Sequence, residues 1–450
     1  MLTTVEIQLA RAVAALSRGL GRGAGMTVPG KLLSKLDPGA IDRLAARLPA
    51  GIVTISATNG KTTTAAMAAE ILRPRFRLAH NHSGANLVSG VASTLLAAGG
   101  AELGLLEVDE GALPEVLRRV RPRAVLLGNL FRDQLDRYGE LELIAERWRA
   151  AVAALPAATT VVVNGDDPQI GSLPHALAYG VDDPSVARPS LQHAADSKYC
   201  IRCGAPYDYR AAYVGHLGDY RCPNCGHERP PLDVRATSLE LNGLERAAFR
   251  LVTAEASAHV ELALPGLYNV YNALGAATLC LALGVGLDEI AAGLGRFSAA
   301  FGRFERIPVA DKRLLLLLIK NPAGANEAVR TLVDGGAPRV AVIALNDAIA
   351  DGRDVSWIWD VDFEPLLEGI ETVVATGERA AELALRFKYG GLGEDRIVVE
   401  PDLERALDLG LERTPDGGEL VVLPTYTAML ALQRVVAERG LAKRYWERAA

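Results

Sequence analysis

One short stretch, Gly51-Ile-Val-Thr-Ile-Ser-Ala-Thr-Asn-Gly-Lys-Thr-Thr-Thr64, restricts the possible folds of this chain more than any other. The β-branched run Ile52–Ile55 predicts a buried strand, and the Ala-rich segment from Thr62 to Leu72 predicts a helix. A strand that enters a helix through Gly60-Lys61-Thr62 presents backbone N–H groups, an ammonium and a hydroxyl at the helix N-terminus. This arrangement predicts a loop that binds ATP phosphates and their Mg²⁺. The structural alternative is an ordinary strand-to-helix turn with a solvated lysine.

Strands and helices alternate from Gly51 to about Leu155, with further predicted strands at 103–108, 124–127 and 160–164. This alternation predicts a parallel sheet with helices on both faces. The last of these strands runs into Asp166-Asp167-Pro168, which is either a nucleotide contact at a strand end or only a turn. A chain of 450 residues with 50% hydrophobic content is long enough for two or three domains.

Two further regions flank this alternating segment. Residues 1–50 predict a helix up to about Leu20, a Gly-rich break at 21–25 that is either a linker or a ligand loop, and a turn at Pro29-Gly30. A second, smaller α/β domain is predicted from about residue 302. Its predicted strands lie at 314–319, 340–345, 370–375 and 420–423, with a helix at 326–333.

Charge and hydropathy exclude several classes of protein. The formal net charge is −6 and there is no basic run, which argues against a nucleic-acid surface. Glu6 and Arg11 interrupt the early residues, so no signal peptide is predicted. The uncharged segment from Leu262 to Leu287 is long enough for a membrane span. It contains Pro265, Asn269 and Asn272, however, which would leave polar groups unpaired in lipid. We therefore expect a soluble protein without a transmembrane segment.

Four of the five cysteines form two Cys-x-x-Cys pairs, Cys200/Cys203 and Cys222/Cys225, separated by eighteen residues. This spacing is typical of a zinc ribbon, in which each pair lies on a tight turn and all four thiolates bind one ion. Four thiolates close the coordination shell, so a structural role is predicted. His216 and His227 are surplus to this site and are expected to be solvated or to lie behind the ligands. Cys280 falls in an Ala/Leu-rich helical pattern and is expected in the core.

Six motifs together resemble those of the Mur ligase family. Ala57-Thr-Asn-Gly-Lys-Thr-Thr63 resembles its ATP loop, with Ala57 where the family usually has glycine. The others follow in the family's order: Glu107-Val-Asp-Glu110, Asn129-Leu-Phe-Arg-Asp-Gln-Leu-Asp136, Asn164-Gly-Asp-Asp-Pro168, Gly266-Leu-Tyr-Asn-Val-Tyr-Asn272 and Gly302-Arg-Phe-Glu305. The zinc-ribbon insert, Lys320-Asn-Pro-Ala-Gly324 and the segment from Asn346 to Asp360 are similar to the MurT branch of that family.

The resemblance covers essentially the whole chain and implies an α/β fold in three parts. Residues 1–50 would be a helical, Gly-rich segment packed on the central domain. Residues 51–301 would form the Mur ligase-like ATPase domain with a parallel sheet and a zinc-ribbon insertion at 198–228. Residues 302–450 would form a smaller C-terminal α/β domain that contacts a partner.

The resemblance also implies an activity, the ligase subunit of a lipid II isoglutaminyl synthase. ATP would activate the α-carboxylate of D-isoglutamate in the lipid II stem peptide as an acyl phosphate, and ammonia would displace the phosphate to give D-isoglutamine. A separate GatD-type glutaminase would supply the ammonia. The complex would be cytoplasmic and act at the inner face of the membrane, in peptidoglycan biosynthesis.

The motifs then imply roles for individual residues. Asn59, Gly60, Lys61, Thr62 and Thr63 would form the ATP loop, with Lys61 on the β/γ-phosphates and Thr62 and Glu107 on Mg²⁺. Asn269 and Asn272, one helical turn apart, would offer amide hydrogen bonds to adenine, or would only pin the helix start. Arg303 would meet a phosphate or the incoming carboxylate, or would only pair with Glu305. Glu107 could also be merely an acidic residue at a strand end.

The segment 346–360 is too polar and too irregular for a core element, and such loops often bind or catalyse. It contains Asp347, Asp351, Asp354 and Asp360 beside Trp357 and Trp359. The resemblance implies that one aspartate, Asp354 in the first place and Asp351 in the second, completes a Cys–His–Asp triad in the glutaminase. The tryptophans would be interface anchors, or a local hydrophobic plug.

Two departures from the usual Mur pattern bear on the nucleophile. Ile319 and Lys320 precede Asn321-Pro322, where Mur ligases that add an amino acid place Asp and His. Gln134 stands where the family commonly has the histidine of an Asp-His-Leu-Asp phrase. The change at Ile319 and Lys320 is compatible with ammonia as the nucleophile. The alternative function is a stand-alone ligase that adds an amino acid. A zinc-ribbon protein that binds ATP without turnover is a third possibility.

Overall fold

The computed structural model describes residues 28–81, 85–133, 140–174, 176–192, 195–298 and 303–441. Within these ranges, the strands form a nine-stranded sheet, a six-stranded sheet and a two-stranded hairpin. The helix predicted up to Leu20 and the Gly-rich break at 21–25 lie outside the described residues.

The strands run as follows: β1 Ile52–Ser56, β2 Leu78–His80, β3 Leu103–Glu107, β4 Ala124–Leu127, β5 Thr160–Asn164, β6 Leu177–Val181, β7 Asp208–Val214, β8 Leu217–Arg221, β9 Val234–Asn242, β10 Arg246–Val252, β11 Ser257–Leu262, β12 Arg303–Val309, β13 Lys312–Leu317, β14 Val340–Ala344, β15 Thr372–Thr376, β16 Ile397–Val399 and β17 Glu419–Pro424. The helices are α1 Val28–Leu36, α2 Ala40–Ala45, α3 Lys61–Leu72, α4 Val88–Ala97, α5 Leu113–Val120, α6 Leu141–Ala153, α7 Leu267–Ala282, α8 Leu287–Arg296, α9 Pro322–Asp334, α10 Glu364–Gly369, α11 Ala380–Tyr389, α12 Leu403–Arg413 and α13 Tyr426–Glu438.

The central sheet has the strand order β11-β10-β9-β6-β5-β4-β1-β3-β2. The strands from β2 to β9 in this order pair in parallel, and β10 and β11 continue the edge in antiparallel pairing. Strand β1 lies between β3 and β4. Strands β2 and β3 lie on one side of it and β4, β5 and β6 on the other, so the strand order reverses at β1. Ligands of such sheets bind at the carboxyl ends of the strands beside this reversal, and the loop after β1 lies there.

Helices cover both faces of the central sheet, as the alternating pattern predicted. Val53 and Ile55 of β1 belong to the core shared with α3, α7 and α8, whereas Ile52 belongs to the core shared with α1, α2 and α4 to α6. Successive strand residues point to opposite faces, so a sheet buried on both sides needs apolar residues at nearly every position. This requirement explains the unbroken apolar runs in the sequence.

The turn predicted at Pro29-Gly30 is wrong, because both residues lie in the first turn of α1. Proline is tolerated there, since the first helical N–H groups have no partner within the helix. Gly30 is needed for close packing rather than for turning: a Cβ at this position would lie 1.9 Å from the carbonyl oxygen of Ser89 in α4. Its N–H donates to Oγ of Ser93 at 2.8 Å.

The second sheet has the order β12-β13-β17-β14-β15-β16, in which only β12 and β13 pair in antiparallel fashion. The carboxyl ends of β13, β14 and β17 lead into Lys320, the 346–360 segment and Tyr426. These ends face the central domain, since Leu317, Lys320 and Tyr426 line a cavity together with the loop after β1. None of the helices in the described ranges has both the length and the apolarity that crossing a bilayer requires.

Candidate active site

The loop between β1 and α3 is held in shape by its neighbours. Gly60 has a left-handed backbone with φ 85°, and a Cβ there would lie 1.9 Å from Oδ1 of Asn272. The loop N–H of Thr58 donates to the backbone oxygen of Asn129 at 2.9 Å, and that of Asn59 to Oδ1 of Asn129 at 2.9 Å. The Nδ2 group of Asn129 donates back to the backbone oxygen of Asn59 at 3.0 Å. A loop fixed this way is preorganised for phosphate.

Lys61 opens α3 and is only 7% exposed. Its ammonium donates to Oε2 of Glu110 at 2.8 Å and to the backbone oxygens of Ala57 and Thr58. Burial opposes ionisation of Glu110, but the positive charges of Lys61 and Lys320 outweigh it and hold the pKa of Glu110 below its usual range. Lys61 is thus held by Glu110 and lines the cavity together with the loop.

The expected magnesium ligands also face this loop. Glu107 ends β3, is almost fully buried, and accepts from Nδ2 of Asn86 at 3.1 Å through Oε1. Its other oxygen, Oε2, is buried without a hydrogen-bond partner among the described residues. Unpaired buried carboxylate oxygens are rare, and a bound cation is one usual reason for them. With the hydroxyl of Thr62 at the helix start, this donor set fits Mg²⁺, a hard cation that prefers oxygen ligands.

Asn269 and Asn272 lie one turn apart in α7, as predicted. Nδ2 of Asn272 donates to Oδ1 of Asn269 at 3.2 Å, and Nδ2 of Asn269 donates to the backbone oxygen of Pro265 at 2.7 Å. Asn272 also accepts from the hydroxyl of Thr64 at 3.3 Å. Asn269 therefore pins the helix start and supports Asn272, which lines the cavity beside the loop.

The C-terminal domain closes the other side of the site. Nζ of Lys320 lies 2.5 Å from Oδ2 of Asp133, which belongs to the central domain. Asn321 caps α9, accepting from the N–H of Gly324 at 2.9 Å. Its amide also exchanges two hydrogen bonds with the amide of Asn59, at 3.1 and 3.0 Å. The phosphate loop and the start of α9 are thus joined directly.

Together these groups surround a cavity of about 390 Å³. Its lining includes Asn59, Gly60, Lys61, Thr62, Glu107 and Asn272 from the predicted site, and also Asp133, Lys320 and Glu327. Thr63 is buried one residue further into α3. Arg303 begins β12, but its side chain lies outside the described residues, as does Gln134.

Sequence reasoning missed three charged residues of this site, Glu110, Asp133 and Lys320. Glu110 was visible as the second acid of the Glu107–Glu110 motif, and Asp133 as the acid within Asn129–Asp136. Burial raises the pKa of Asp133, partly offset by the charge of Lys320. Nothing in the sequence pairs Asp133 with Lys320, because the two are far apart along the chain.

The acidic turn after β5 braces the site from outside the cavity. The carboxylate of Asp166 is fully buried and accepts from the hydroxyl of Tyr271 at 2.6 Å and from the N–H of Val181 at 2.8 Å. The carboxylate of Asp167 accepts from the N–H of Leu130 at 2.8 Å. Of the two alternatives for this turn, the structural one fits.

The four cysteines of the insertion converge, with all their Sγ atoms within 4.8 Å of one another. The sulfurs of Cys200 and Cys225 are 3.5 Å apart, and those of Cys203 and Cys222 are 3.4 Å apart. A zinc tetrahedron with bonds of about 2.3 Å has edges of about 3.8 Å. The spacing and the thiol donor set therefore fit Zn²⁺.

His216 and His227 are both buried, so the expectation that they are solvated is wrong, whereas the alternative, that they lie behind the zinc ligands, fits His227. His227 packs beside the cysteine cluster, where its Nδ1 lies 2.6 Å from the hydroxyl of Tyr207. His216 lies away from the cysteines, with Nε2 3.3 Å from Oδ1 of Asp167. Cys280 is buried in the core as expected, and burial raises its pKa.

The 346–360 segment starts at the rim of the cavity, where Ala350 lines it. Its first aspartate, Asp347, pairs with Arg379 at 2.8 Å. Asp351 is buried and accepts from the N–H of Thr427 at 2.8 Å and from that residue's hydroxyl. Asp354 is exposed, and its Oδ1 accepts from the N–H of Ser356 at 2.9 Å, a hydrogen bond within the same segment. Asp354 is thus the more accessible of the two candidate triad carboxylates.

The tryptophans differ. Trp357 is partly buried against the main core. Trp359 is 49% exposed and lies 6.0 Å, between ring centroids, from Tyr389, which is 74% exposed. Trp357 therefore fits the role of a local hydrophobic plug, whereas Trp359 fits that of an interface anchor.

Comparisons with known proteins agree with this architecture. A model of the Mur ligase middle domain matches residues 55–197, and a model of the MurT ligase C-terminal domain matches residues 318–429. Among solved structures, a pseudomurein peptide ligase type C from Methanothermus fervidus superposes with a TM-score of 0.70 at 21% identity, covering 88% of this chain and 80% of that one. The MurF ligase from Thermotoga maritima in complex with ADP superposes with a TM-score of 0.64 at 15% identity, covering 94% and 85%.

Curated relatives are closer in sequence. The subunit MurT of lipid II isoglutaminyl synthase (glutamine-hydrolyzing) from Streptococcus pneumoniae is 34% identical over 438 residues, 95% of this chain and 95% of that protein. The protein of the same name from Staphylococcus aureus N315 is 32% identical over 435 residues, 94% of this chain and 95% of its own length.

Proposed function

The chain belongs to the MurT family of Mur-type ligases, and on this premise we propose that it is the ligase subunit of a lipid II isoglutaminyl synthase. It amidates the α-carboxyl of D-isoglutamate in the lipid II stem peptide and thereby makes D-isoglutamine for the cell wall. The lipid part of this substrate places the reaction at the cytoplasmic surface of the membrane.

The reaction needs activation because a carboxylate is a poor electrophile. Its oxygen attacks the γ-phosphorus of ATP, ADP leaves, and an acyl phosphate forms. Ammonia then attacks the carbonyl carbon, phosphate leaves with the electron pair of the broken C–O bond, and the nitrogen loses a proton. An enzyme contributes mainly positioning and charge neutralisation to such a transfer.

The cavity supplies both contributions. Lys61, which donates to Glu110 in this structure, would bind the β/γ-phosphates of ATP. Glu107 and Thr62 would hold Mg²⁺, which supplies charge neutralisation on the phosphates when it is bound. Lys320 faces this loop from the C-terminal domain and would meet the acceptor carboxylate or the acyl phosphate formed from it. Arg303, the first residue of β12, would bind a phosphate or the same carboxylate. Asn272, supported by Asn269, bonds the nucleotide.

One observation carries this proposal: the phosphate loop of the central domain and Lys320 of the C-terminal domain line the same cavity. The acceptor carboxylate can therefore meet ATP between the two sheets. Ile319 and Lys320 stand where Mur ligases that add an amino acid place Asp and His, which is compatible with ammonia as the nucleophile.

A separate glutaminase has to make that ammonia. Glutaminases of the Cys–His type need an accessible, ionisable thiol, whereas Cys280 is buried and the other four cysteines are gathered in one cluster. The exposed Asp354 completes the triad of a GatD-type partner, and Trp359 with Tyr389 anchors that partner on the C-terminal domain.

The test is amidation of lipid II by the full-length chain, with and without a co-expressed glutaminase subunit. Phosphate release and mass spectrometry monitor the reaction. Loss of one mass unit with glutamine, dependent on both chains and on ATP, is expected. Ammonium salts should replace glutamine and the partner. Addition of an amino-acid residue by this chain alone would instead establish the stand-alone ligase, and ATP binding without product would refute both.

A further inference from the structure

The β7–β8 hairpin of the cysteine-bearing insertion reaches the active-site cavity. Val214 and Leu217, on either side of its tight turn, line the cavity directly. Between them, Gly215 has φ 58°, and a Cβ there would lie 2.8 Å from the ring of Phe131, another lining residue. The hairpin turn is therefore in van der Waals contact with the cavity wall.

His216 extends this contact toward the phosphate loop. Its buried ring lies 4.7 Å, between centroids, from the ring of Phe131, and its Nε2 lies 3.3 Å from Oδ1 of Asp167. The N–H of Phe131 donates to Oγ1 of Thr58 in the phosphate loop at 3.1 Å. Asp167 in turn holds the N–H of Leu130. The hairpin thus supports the segment 129–131, on which the loop rests.

The same hairpin seats helix α9 of the C-terminal domain. Arg330 donates from Nη1 to the backbone oxygen of Tyr213 at 3.0 Å and from Nη2 to that of Val186 at 3.0 Å. Glu327, one turn earlier, pairs with Arg188 at 2.6 Å, and Arg188 itself bridges to Ala212 of β7. Because α9 begins directly after Lys320 and Asn321, its seat sets where these two residues meet the phosphate loop.

At its other end, the hairpin is tied to the cysteine cluster. Cys222 follows β8 directly, and the small core beneath the cluster consists of Cys200, Tyr207, Tyr220 and Cys222. The tip of the hairpin packs on the main core through Tyr213, Val214 and Leu217. The core beneath the cysteines is too small to hold its end of the hairpin by itself, so that end depends on the metal.

We propose that the metal-binding insertion is a positioning element of the active site. The bound metal fixes the hairpin, the hairpin fixes the Phe131 wall and the seat of α9, and α9 fixes Lys320 opposite the phosphate loop. Loss of metal therefore acts at the C-terminal domain as well as within the insertion. The amidation assay that tests this proposal rests on the proposed function, whereas the hydrogen-exchange experiment does not.

The first experiment measures hydrogen exchange of the full-length chain, comparing the zinc-loaded protein with the Cys225→Ser variant and with chelator-treated protein. Faster exchange is expected in 208–221 and also in α9, residues 322–334, with α11 (380–389) unchanged as the internal reference. Unchanged exchange in α9 after complete metal loss would overturn the proposal, whether or not lipid II is the substrate.

The second experiment leaves the metal site intact. Arg330→Met removes the two bonds from α9 to the hairpin region, and Arg306→Met is its matched control. Arg306 also joins the domains, donating to the backbone oxygen of Leu244 at 2.8 Å, but away from the hairpin. Both variants should retain zinc and ATP affinity.

With ammonia as nitrogen donor, Arg330→Met should lower kcat/KM for the acceptor about tenfold, as expected when about 1.4 kcal/mol of positioning is lost. Arg306→Met should stay within about twofold. Equal values for the two variants would overturn the proposal, whereas absence of amidation in the unchanged protein would refute the proposed function and leave the exchange experiment decisive.

Discussion

Lys61 and Glu110 form a buried ion pair under the phosphate loop. We expect Lys61→Met to lose phosphate release by at least about a hundredfold, since it removes the cation that meets the β/γ-phosphates. The variant should also lose about 3–5 kcal/mol of stability, because the carboxylate of Glu110 stays buried without its partner.

The double variant Lys61→Met/Glu110→Gln separates these effects. Neutralising the orphaned carboxylate should recover most of the stability in urea unfolding without restoring phosphate release. Recovery of both would mean that the lysine is needed only for folding, and the ATP-loop assignment would be wrong.

Asp166 gives the molecule a pH dependence. Burial raises the pKa of this carboxyl to about 6, against 3.8 for an ordinary aspartate, with the charge of Arg229 acting in the opposite direction. Between these two values the folded state binds more protons than the unfolded state, so stability decreases as the pH rises from about 4 to about 6. The full contribution is about 3 kcal/mol.

The Asp166→Asn variant should lack this slope. Between pH 4 and pH 6.5, the unfolding free energy of the variant should therefore rise by about 2 kcal/mol relative to that of the unchanged protein. Asp416→Asn, at a side chain that is 95% exposed, should run parallel to the unchanged protein. If the Asp166→Asn curve also ran parallel to that of the unchanged protein, the raised pKa would not belong to Asp166.

At the scale of single elements, the conformation of the β1–α3 loop depends on Gly60. Gly60 and Gly284 both have left-handed backbones, with φ 85° and 80°, but a Cβ at Gly284 would meet nothing within 4 Å. Gly284→Ala should therefore cost only about 1 kcal/mol of backbone strain. Gly60→Ala should cost more and weaken ATP binding at least about tenfold, because its Cβ displaces Asn272. Calorimetric ATP titration of both variants tests this difference.

Several predicted elements have nearly the bounds that the sequence indicated. The strand 124–127 and the strand 160–164 are found at those residues, and the helix after the phosphate loop begins one residue earlier than predicted. Long apolar or strongly periodic segments are determined locally, because burial on both faces leaves few choices of residue type. Pro29-Gly30 was misassigned because a glycine is needed there for the close approach of α4, where a Cβ would meet the backbone oxygen of Ser89, and not for a turn.

At the scale of the whole molecule, the aspartates of the 346–360 segment should separate into two roles. Asp354→Asn should abolish glutamine-dependent amidation while leaving ammonium-dependent amidation within about twofold, because its exposed carboxylate serves the partner's histidine. Asp351→Asn should lower the thermal stability of the chain and both activities, since its buried carboxylate holds Thr427. The opposite pattern would assign the triad to Asp351.

The exposed ring pair should govern assembly. Trp359→Ala should raise the dissociation constant for the glutaminase about thirtyfold, as expected for an aromatic anchor worth about 2 kcal/mol. Leu143→Ala, at a side chain that is 42% exposed on the central domain, is the control and should leave assembly unchanged. Sedimentation or light scattering of the mixed subunits gives the measurement, and equal affinities for both variants would place the interface elsewhere.

The sequence by itself determined what depends on neighbours along the chain. The phosphate loop, the cysteine pairs and the apolar strands each lie within a few residues, so spacing and residue type suffice to identify them. The order of six such motifs then indicated the family, because an ordered series is far more specific than any one of them.

Only the tertiary structure decided which distant residues meet. The contacts of Lys320 with Asp133, Asn321 with Asn59, and His216 with Phe131 join segments that no local pattern links. They arise because the carboxyl ends of strands from two sheets converge on one cavity, with the insertion hairpin packed between them. Such contacts are set by how whole elements pack, which depends on buried surface summed over many residues rather than on the residues that finally touch.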